Sequence, residues 1–185
     1  MYFITGNQNK LTEVQAVLPL VKAWKVDLPE IQHFSAEQVI QSKLSSAAAL
    51  SDAPEAFFIE DTSLYIDCLK GLPGPLIKWF ISEQTLGLSG LSDLVSRYEN
   101  KQAQAKTIFG LHHQGQAQFF EGSIPGKIIS PRGSQGFGWD AIFQPHGSEL
   151  SLAEMDLTTK NNHSMRRLAL DKMKKELISQ GVLLT

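Results

Sequence analysis

Glu60-Asp61-Thr62 places two carboxylates and a hydroxyl directly behind the apolar run Ala56-Phe57-Phe58-Ile59. A short run rich in Phe and Ile, apolar on both faces, reads as a buried strand, parallel and central in its sheet. Ionised carboxylates at the end of such a strand are costly to desolvate, and a divalent cation is the natural partner. Open α/β sheets bind ligands at the carboxyl ends of their strands. The pattern points to a Mg²⁺ site and phosphate chemistry, with a plain acidic turn in solvent as the competing reading.

Two further constellations bear on that choice. Thr5-Gly6-Asn7-Gln8-Asn9-Lys10 joins a strand to a helix. Such a turn offers free backbone N–H groups and the positive end of a helix dipole, and Lys10 adds a formal charge. Gly6 lets the backbone approach a ligand closely. The segment is neither a Walker A motif nor a GxGxxG fingerprint, and a polar turn capped by Asn7 or Asn9 is the alternative. The loop Pro131 to Asp140 combines three glycines, Phe137, Trp139 and a terminal carboxylate. Phe137 and Trp139 are candidates to stack on a base, a contact worth about 1–3 kcal/mol. Asp140 is a candidate acceptor for a ring N–H or an exocyclic amine. The alternative is two aromatics plugging the core. The histidines show no metal-ligand spacing. Taken together, a phosphate-ready turn, paired carboxylates and an aromatic Gly-rich loop suit a nucleoside triphosphate.

The elements that must position these residues follow from periodicity and punctuation. Tyr2-Phe3-Ile4 reads as a strand, Lys10 to Leu18 as a helix stopped by Pro19, and Val21 to Leu28 as a second strand. Ser35 with Gln38 forms a capping box that opens a helix from Ala36 to about Leu50. Ala56 to Ile59 is the third strand, with Leu64 to Ile66 extended beyond the acidic pair. Gly71 to Pro75 is a loop, followed by helices near Leu76–Glu83 and Leu91–Tyr98. Ala105–Leu111 and Ala117–Phe120 flank His113-Gln114-Gly115-Gln116 as a β-hairpin. Short strands are expected at Gly126–Ile129 and Ala141–Phe143, and a closing amphipathic helix from Ser164 to the C-terminus. The order βαβαβ, helical insertion, antiparallel segment, helix implies an α/β fold, a mixed sheet with helices on both sides.

Bulk composition narrows the class. The chain has 185 residues, 42% apolar and 19% charged, the balance of an ordinary globular protein with one domain spanning 1–185. Seventeen basic and nineteen acidic residues leave a formal charge of −2 without a basic run, so a nucleic-acid polymer is not an expected partner. Cys68 is alone, which fits a reducing compartment. No signal peptide or membrane-spanning run is read, so a cytoplasmic protein without a membrane partner is expected.

At the level of motifs the chain resembles the inosine triphosphate pyrophosphatase, or Ham1-like, family. Thr5-Gly6-Asn7 with Lys10 and Glu13 matches its N-terminal motif, and Glu60-Asp61-Thr62-Ser63-Leu64 its acidic motif. Gly71-Leu72-Pro73-Gly74-Pro75 with Ile77-Lys78-Trp79-Phe80 is similar to the eukaryotic-type variant. Pro131-Arg132-Gly133, Phe137-Gly138-Trp139-Asp140 and Phe143-Gln144-Pro145 match a fourth motif. The matches run in order from residue 5 to about 170. The resemblance implies an elongated fold of two lobes with a substrate cleft between them. It also implies Mg²⁺-dependent hydrolysis of ITP, dITP and XTP to the monophosphate and pyrophosphate by a homodimer. On that basis Thr5, Gly6, Asn7, Lys10 and Lys43 would hold the triphosphate, with Thr62 beside it. Glu30, Glu60 and Asp61 would hold the metal, and Asp61 would also accept the proton of the attacking water. Lys78, Phe137, Gly138, Trp139, Asp140, Lys160 and Arg166 would line the pocket and its base end.

Three features depart from the family pattern. The chain reads Ser164-Met165-Arg166 where Ser-His-Arg is usual, Ala141 replaces a proline, and the stretch Gln32 to Gln41 matches poorly. Alternatives to the favoured function are a Maf-like pyrophosphatase of other base preference and a catalytically weakened nucleotide-binding protein.

Overall fold

Phe3 and Phe58 show how the sheet begins. They are register partners on neighbouring parallel strands, and their rings stack at 4.9 Å. The structure, a computed structural model, describes residues 1–182. Its strands are β1 (Tyr2–Ile4), β2 (Lys22–Trp24), β3 (Ala56–Ile66), β4 (Pro73–Gly74), β5 (Gln102–His113), β6 (Gln116–Ile128) and β7 (Phe143–Pro145). Its helices are α1 (Gln8–Gln15), α2 (Ala36–Ala48), α3 (Ile77–Phe80), α4 (Gly87–Ser96), α5 (Leu157–Asn162) and α6 (Met165–Ser179). The strands hydrogen-bond in the order β2-β1-β3-β5-β6-β7, with β4 on β3. β1 is parallel to β2 and β3, whereas β4 on β3 and β7 on β6 are antiparallel. The sheet is therefore mixed and flanked by helices, as the element order predicts.

By contact the chain divides into two units. The first holds Met1–Asp61, Thr107–Gly122 and the chain from Arg166 on; the second holds Thr62–Lys106 and Ser123–Met165.

In the first unit, strand alternation sorts the core into two layers. Phe3 and Phe58 face Leu11, Val14, Leu170, Met173 and Leu177, the apolar stripes of α1 and α6. Ile4, Phe57 and Ile59 face Ile40, Leu44 and Ala47 of α2. Successive side chains of a strand point to opposite faces, so each of these residues fixes the side of its neighbour. Phe57 and Phe58 are fully buried, each worth about 1.5–3 kcal/mol relative to exposure. In the second unit, Leu64 and Ile66 of β3 pack with Leu91 and Val95 of α4, Trp139, Phe143 and Met165.

Several expectations shift. β3 does not stop before the acidic pair but runs eleven residues to Ile66, because Leu64 and Ile66 have a buried layer of their own. β2 is only Lys22–Trp24, and the chain after it is irregular, although Val26 and Leu28 still pack on the α2 layer. Gly126–Ile128 continues β6 instead of starting a new strand. Asp140–Ile142 is a 3-10 turn, which moves the following strand to Phe143–Pro145. Pro73–Gly74, in the expected loop, forms a two-residue strand, and α5 was not foreseen. The hairpin holds: Gln114 and Gly115 both have positive φ, as a type I′ turn requires. The closing helix ends at Ser179, and residues 183–185 of the expected helix lie outside the described residues.

Gly110 of β5 allows α2 to lie close to the sheet. A Cβ there would fall 2.4 Å from Ile40 Cγ2 and 2.7 Å from Leu44 Cδ1. Gly110→Ala is expected to destabilise the protein by about 1–3 kcal/mol, read as a lowered urea midpoint.

Candidate active site

The turn after β1 is built by capping. Asn7 is the N-cap of α1, and its side chain accepts from the amides of Asn9 at 2.9 Å and Lys10 at 3.2 Å. The Asn7 amide donates to Thr5 Oγ1 at 3.0 Å. These amides are therefore not the free donors that the sequence suggested; an Asn side chain is a strong N-cap and takes them. What the turn offers an anion is the dipole, the Lys10 charge and the open surface at Gly6, where a Cβ would meet nothing within 4 Å.

Lys10 leads into a buried charge cluster. Its Nζ lies 2.6 Å from Glu60 Oε1. Arg166, near the start of α6, donates from Nε to Glu60 Oε2 at 2.6 Å and from Nη2 to Oε1 at 3.1 Å. Arg166 Nη1 also donates to Glu13, one turn after Lys10 on α1. Strand parity explains the meeting: Glu60 shares the face of Phe58, which α1 and α6 cover. Side-chain exposure is 2% for Arg166 and Glu60 and 6% for Glu13, but 24% for Lys10. Two cations and two carboxylates balance. Burial pushes the Glu60 carboxyl up, but the charges of Arg166 and Lys10 and their hydrogen bonds outweigh it and hold the group at about 2. Burial likewise disfavours the charged Arg166 guanidinium, and Glu60 then Glu13 more than reverse this, raising it above its ordinary value.

The same parity separates Glu60 from its neighbour. Asp61 is half-buried and takes the side of Ile59, the face that α2 covers. Glu60 and Asp61 are thus not one acidic dyad at a strand end, because the strand continues through them. Lys43 of α2 forms an ion pair with Glu30, whose side chain is 38% exposed.

In the second unit Asp140 and Lys160 are both buried and paired at 2.7 Å. Asp140 Oδ2 also accepts from the Phe137 amide at 2.9 Å, and Lys160 Nζ sits 4.4 Å from the centroid of the Phe137 ring. Gly136 is required here, since a Cβ would fall 2.5 Å from Asp140 Cβ. Trp139 is buried and meets Phe143 edge-on at 5.5 Å, so it plugs the core and does not offer a stacking face. Gly138 has φ +60 beside open space. Lys78 is exposed on α3 with its Nζ 5.4 Å from the Trp79 ring, and Thr62 is half-buried on β3. Met165, the departure from the family pattern, is 2% exposed in this unit's core.

Among the described residues no three His, Cys, Asp or Glu side chains form a ready metal cage. Mg²⁺ does not need one: it keeps waters and takes one or two carboxylates together with substrate phosphates. Asp61 and the half-exposed Glu30 suit such a set. Glu60 does not, because cations hold both its oxygens.

A model of the Ham1 family matches residues 1–176. The chain belongs to the Ham1 family. It is 46% identical over 176 residues to an inosine triphosphate pyrophosphatase of Pyricularia oryzae, covering 92% of this chain and 89% of that protein. An inosine triphosphate pyrophosphatase of Schizosaccharomyces pombe is 40% identical, covering 96% and 95% of the two chains. The fold is similar to that of the Staphylococcus aureus Ham1 protein, with a TM-score of 0.82 and 20% identity over 97% of this chain and 98% of that one.

Within this Ham1 chain, Glu13 is the functional candidate that sequence reasoning left without a role. Its signal was a carboxylate between Leu11 and Val14 on the buried side of α1, where a charge requires a partner. The cluster makes stability sensitive to acid in a defined window. A carboxyl depressed by folding stabilises above its unfolded value and loses that contribution as pH falls through the folded one. Wild-type stability is expected to drop between pH 4.5 and about 2 as Glu60 titrates. Urea denaturation of Glu60→Gln checks this: its midpoint lies below wild type near neutral pH, and the gap narrows across that window.

Proposed function

We propose that this Ham1 family chain hydrolyses ITP, dITP and XTP, purine triphosphates outside the standard set, to the nucleoside monophosphate and pyrophosphate. The observation that carries the reading is similarity along nearly the whole chain to inosine triphosphate pyrophosphatases, at 46% identity in one case. The site chemistry supports it. Lys10 and Lys43 draw in the polyphosphate charge, and Asp61 takes the proton of the water that breaks the α–β anhydride bond. Bound Mg²⁺ would neutralise phosphate oxygens, with Asp61 and Glu30 as the carboxylates that hold it. We further read the enzyme as a cytoplasmic homodimer; no helix among the described residues is long and apolar enough to cross a membrane.

The Lys160–Asp140 pair supplies a basis for discrimination. It places a donor beside an acceptor, the complement of a 6-keto group next to a ring N–H. Adenine presents the reverse order, so ATP would leave both buried groups facing like partners, a strong ground for rejection.

Pyrophosphate release with Mg²⁺ tests the function. ITP and XTP are expected far above dTTP, UTP and GTP; equal rates on all five would refute the assignment. Asp61→Asn is expected to lose about 10²-fold or more in turnover, the scale of a general base. Gly6→Ala should weaken substrate binding without changing the melting temperature, since only an approaching ligand contests that space.

A further inference from the structure

The four charges of the cluster that holds Glu60 are not equivalent. Glu60 receives two N–H bonds from Arg166 and one contact from Lys10. Arg166, Glu60 and Glu13 are sealed from solvent, whereas the Lys10 side chain keeps 24% of its surface. A lysine paired to a buried carboxylate that had no other cation would be a poor phosphate ligand. Turning its charge to an incoming anion would strip that carboxylate of its only counter-ion. Here the carboxylate is already held by a guanidinium that cannot lose its proton.

We propose that Arg166 is a positioning residue that keeps Glu60 neutralised, so that Lys10, held at the solvent edge of the cluster, can direct its charge to the substrate phosphates. Arg166 then governs phosphate affinity without touching phosphate, and Glu13 makes its burial tolerable. This rests on the assignment of Lys10 to phosphate made above. It gives Glu60 a role in the readiness of Lys10 that is separate from any metal.

The test uses sodium tripolyphosphate without metal, titrated calorimetrically into the full-length protein, with thermal unfolding followed in parallel. Wild type is expected to bind, and Lys10→Ala to bind at least tenfold more weakly. The double variant Glu13→Gln/Arg166→Met removes one charge of each sign and leaves Lys10 facing Glu60 alone. Its affinity should fall at least tenfold. Adding Glu60→Gln to that background should restore most of the affinity, because Lys10 then has no rival carboxylate. A purely structural role for Arg166 would not produce such recovery. Unchanged affinity in the double variant, or no recovery in the triple, overturns the proposal while leaving the proposed function standing. Failure of wild type to bind, or full binding by Lys10→Ala, would instead remove the phosphate assignment of Lys10 and the inference with it. Should the double variant not fold, Glu60→Gln alone decides: affinity at or above wild type supports the proposal, and a tenfold loss overturns it.

Discussion

A guanidinium retains its charge at any physiological pH, so a chain that buries Arg166 must bring acceptors to it. Those acceptors come from distant parts of the sequence. Glu13 lies 153 residues away on α1 and Glu60 lies 106 residues away on β3. Removing one partner from such a network typically costs about 3–5 kcal/mol, because the remaining charge stays buried. The start of α6, the buried face of α1 and the side-chain parity of β3 are therefore tied together. Alternatives that shift β3 by one residue would turn Glu60 to the α2 layer and Phe58 with it.

That dependence marks what could be read from residue order and what could not. Four of the first five elements were legible because each has a local cause: apolar runs for β1 and the start of β3, Ser35 capping α2, Asn7 capping α1. The hairpin was legible from Gln114-Gly115, whose left-handed conformations are a local property. The far end of β3 was not, since polar Glu60-Asp61-Thr62 looks like a strand end unless a second buried layer is known to follow. Reading a strand end there made the two carboxylates into one dyad. In a continuous strand adjacent residues must part, and one pairs with cations from α1 and α6 while the other takes the α2 side.

Candidate residues could be named from the sequence, but how they pair and pack could not. Trp139 and Phe137, two residues apart, were equivalent candidates for stacking. Burial against Phe143 removes Trp139, whereas Phe137 stays half-buried beside Lys160. Arg166 looked like part of the pocket and its base end, because nothing local to it names Glu13 or Glu60 as partners. Long-range ion pairs leave no periodic trace.

The choice of cation at each position follows from geometry. At 166 the side chain must satisfy two carboxylates from fixed directions inside a dry core. A planar fork with five donors does this, and an ammonium on a flexible stem would leave directions unfilled. At 10, on the proposed role in phosphate binding, the charge would instead meet a partner that comes and goes at the surface, and a compact ammonium with three rotatable donors suits that. Exchanging the two residue types would keep the net charge but leave the core without its fork, and it would put a rigid plane at the turn where the proposed phosphate role calls for a mobile point charge. The separation of permanent from exchangeable pairing is thus written in the side-chain chemistry itself.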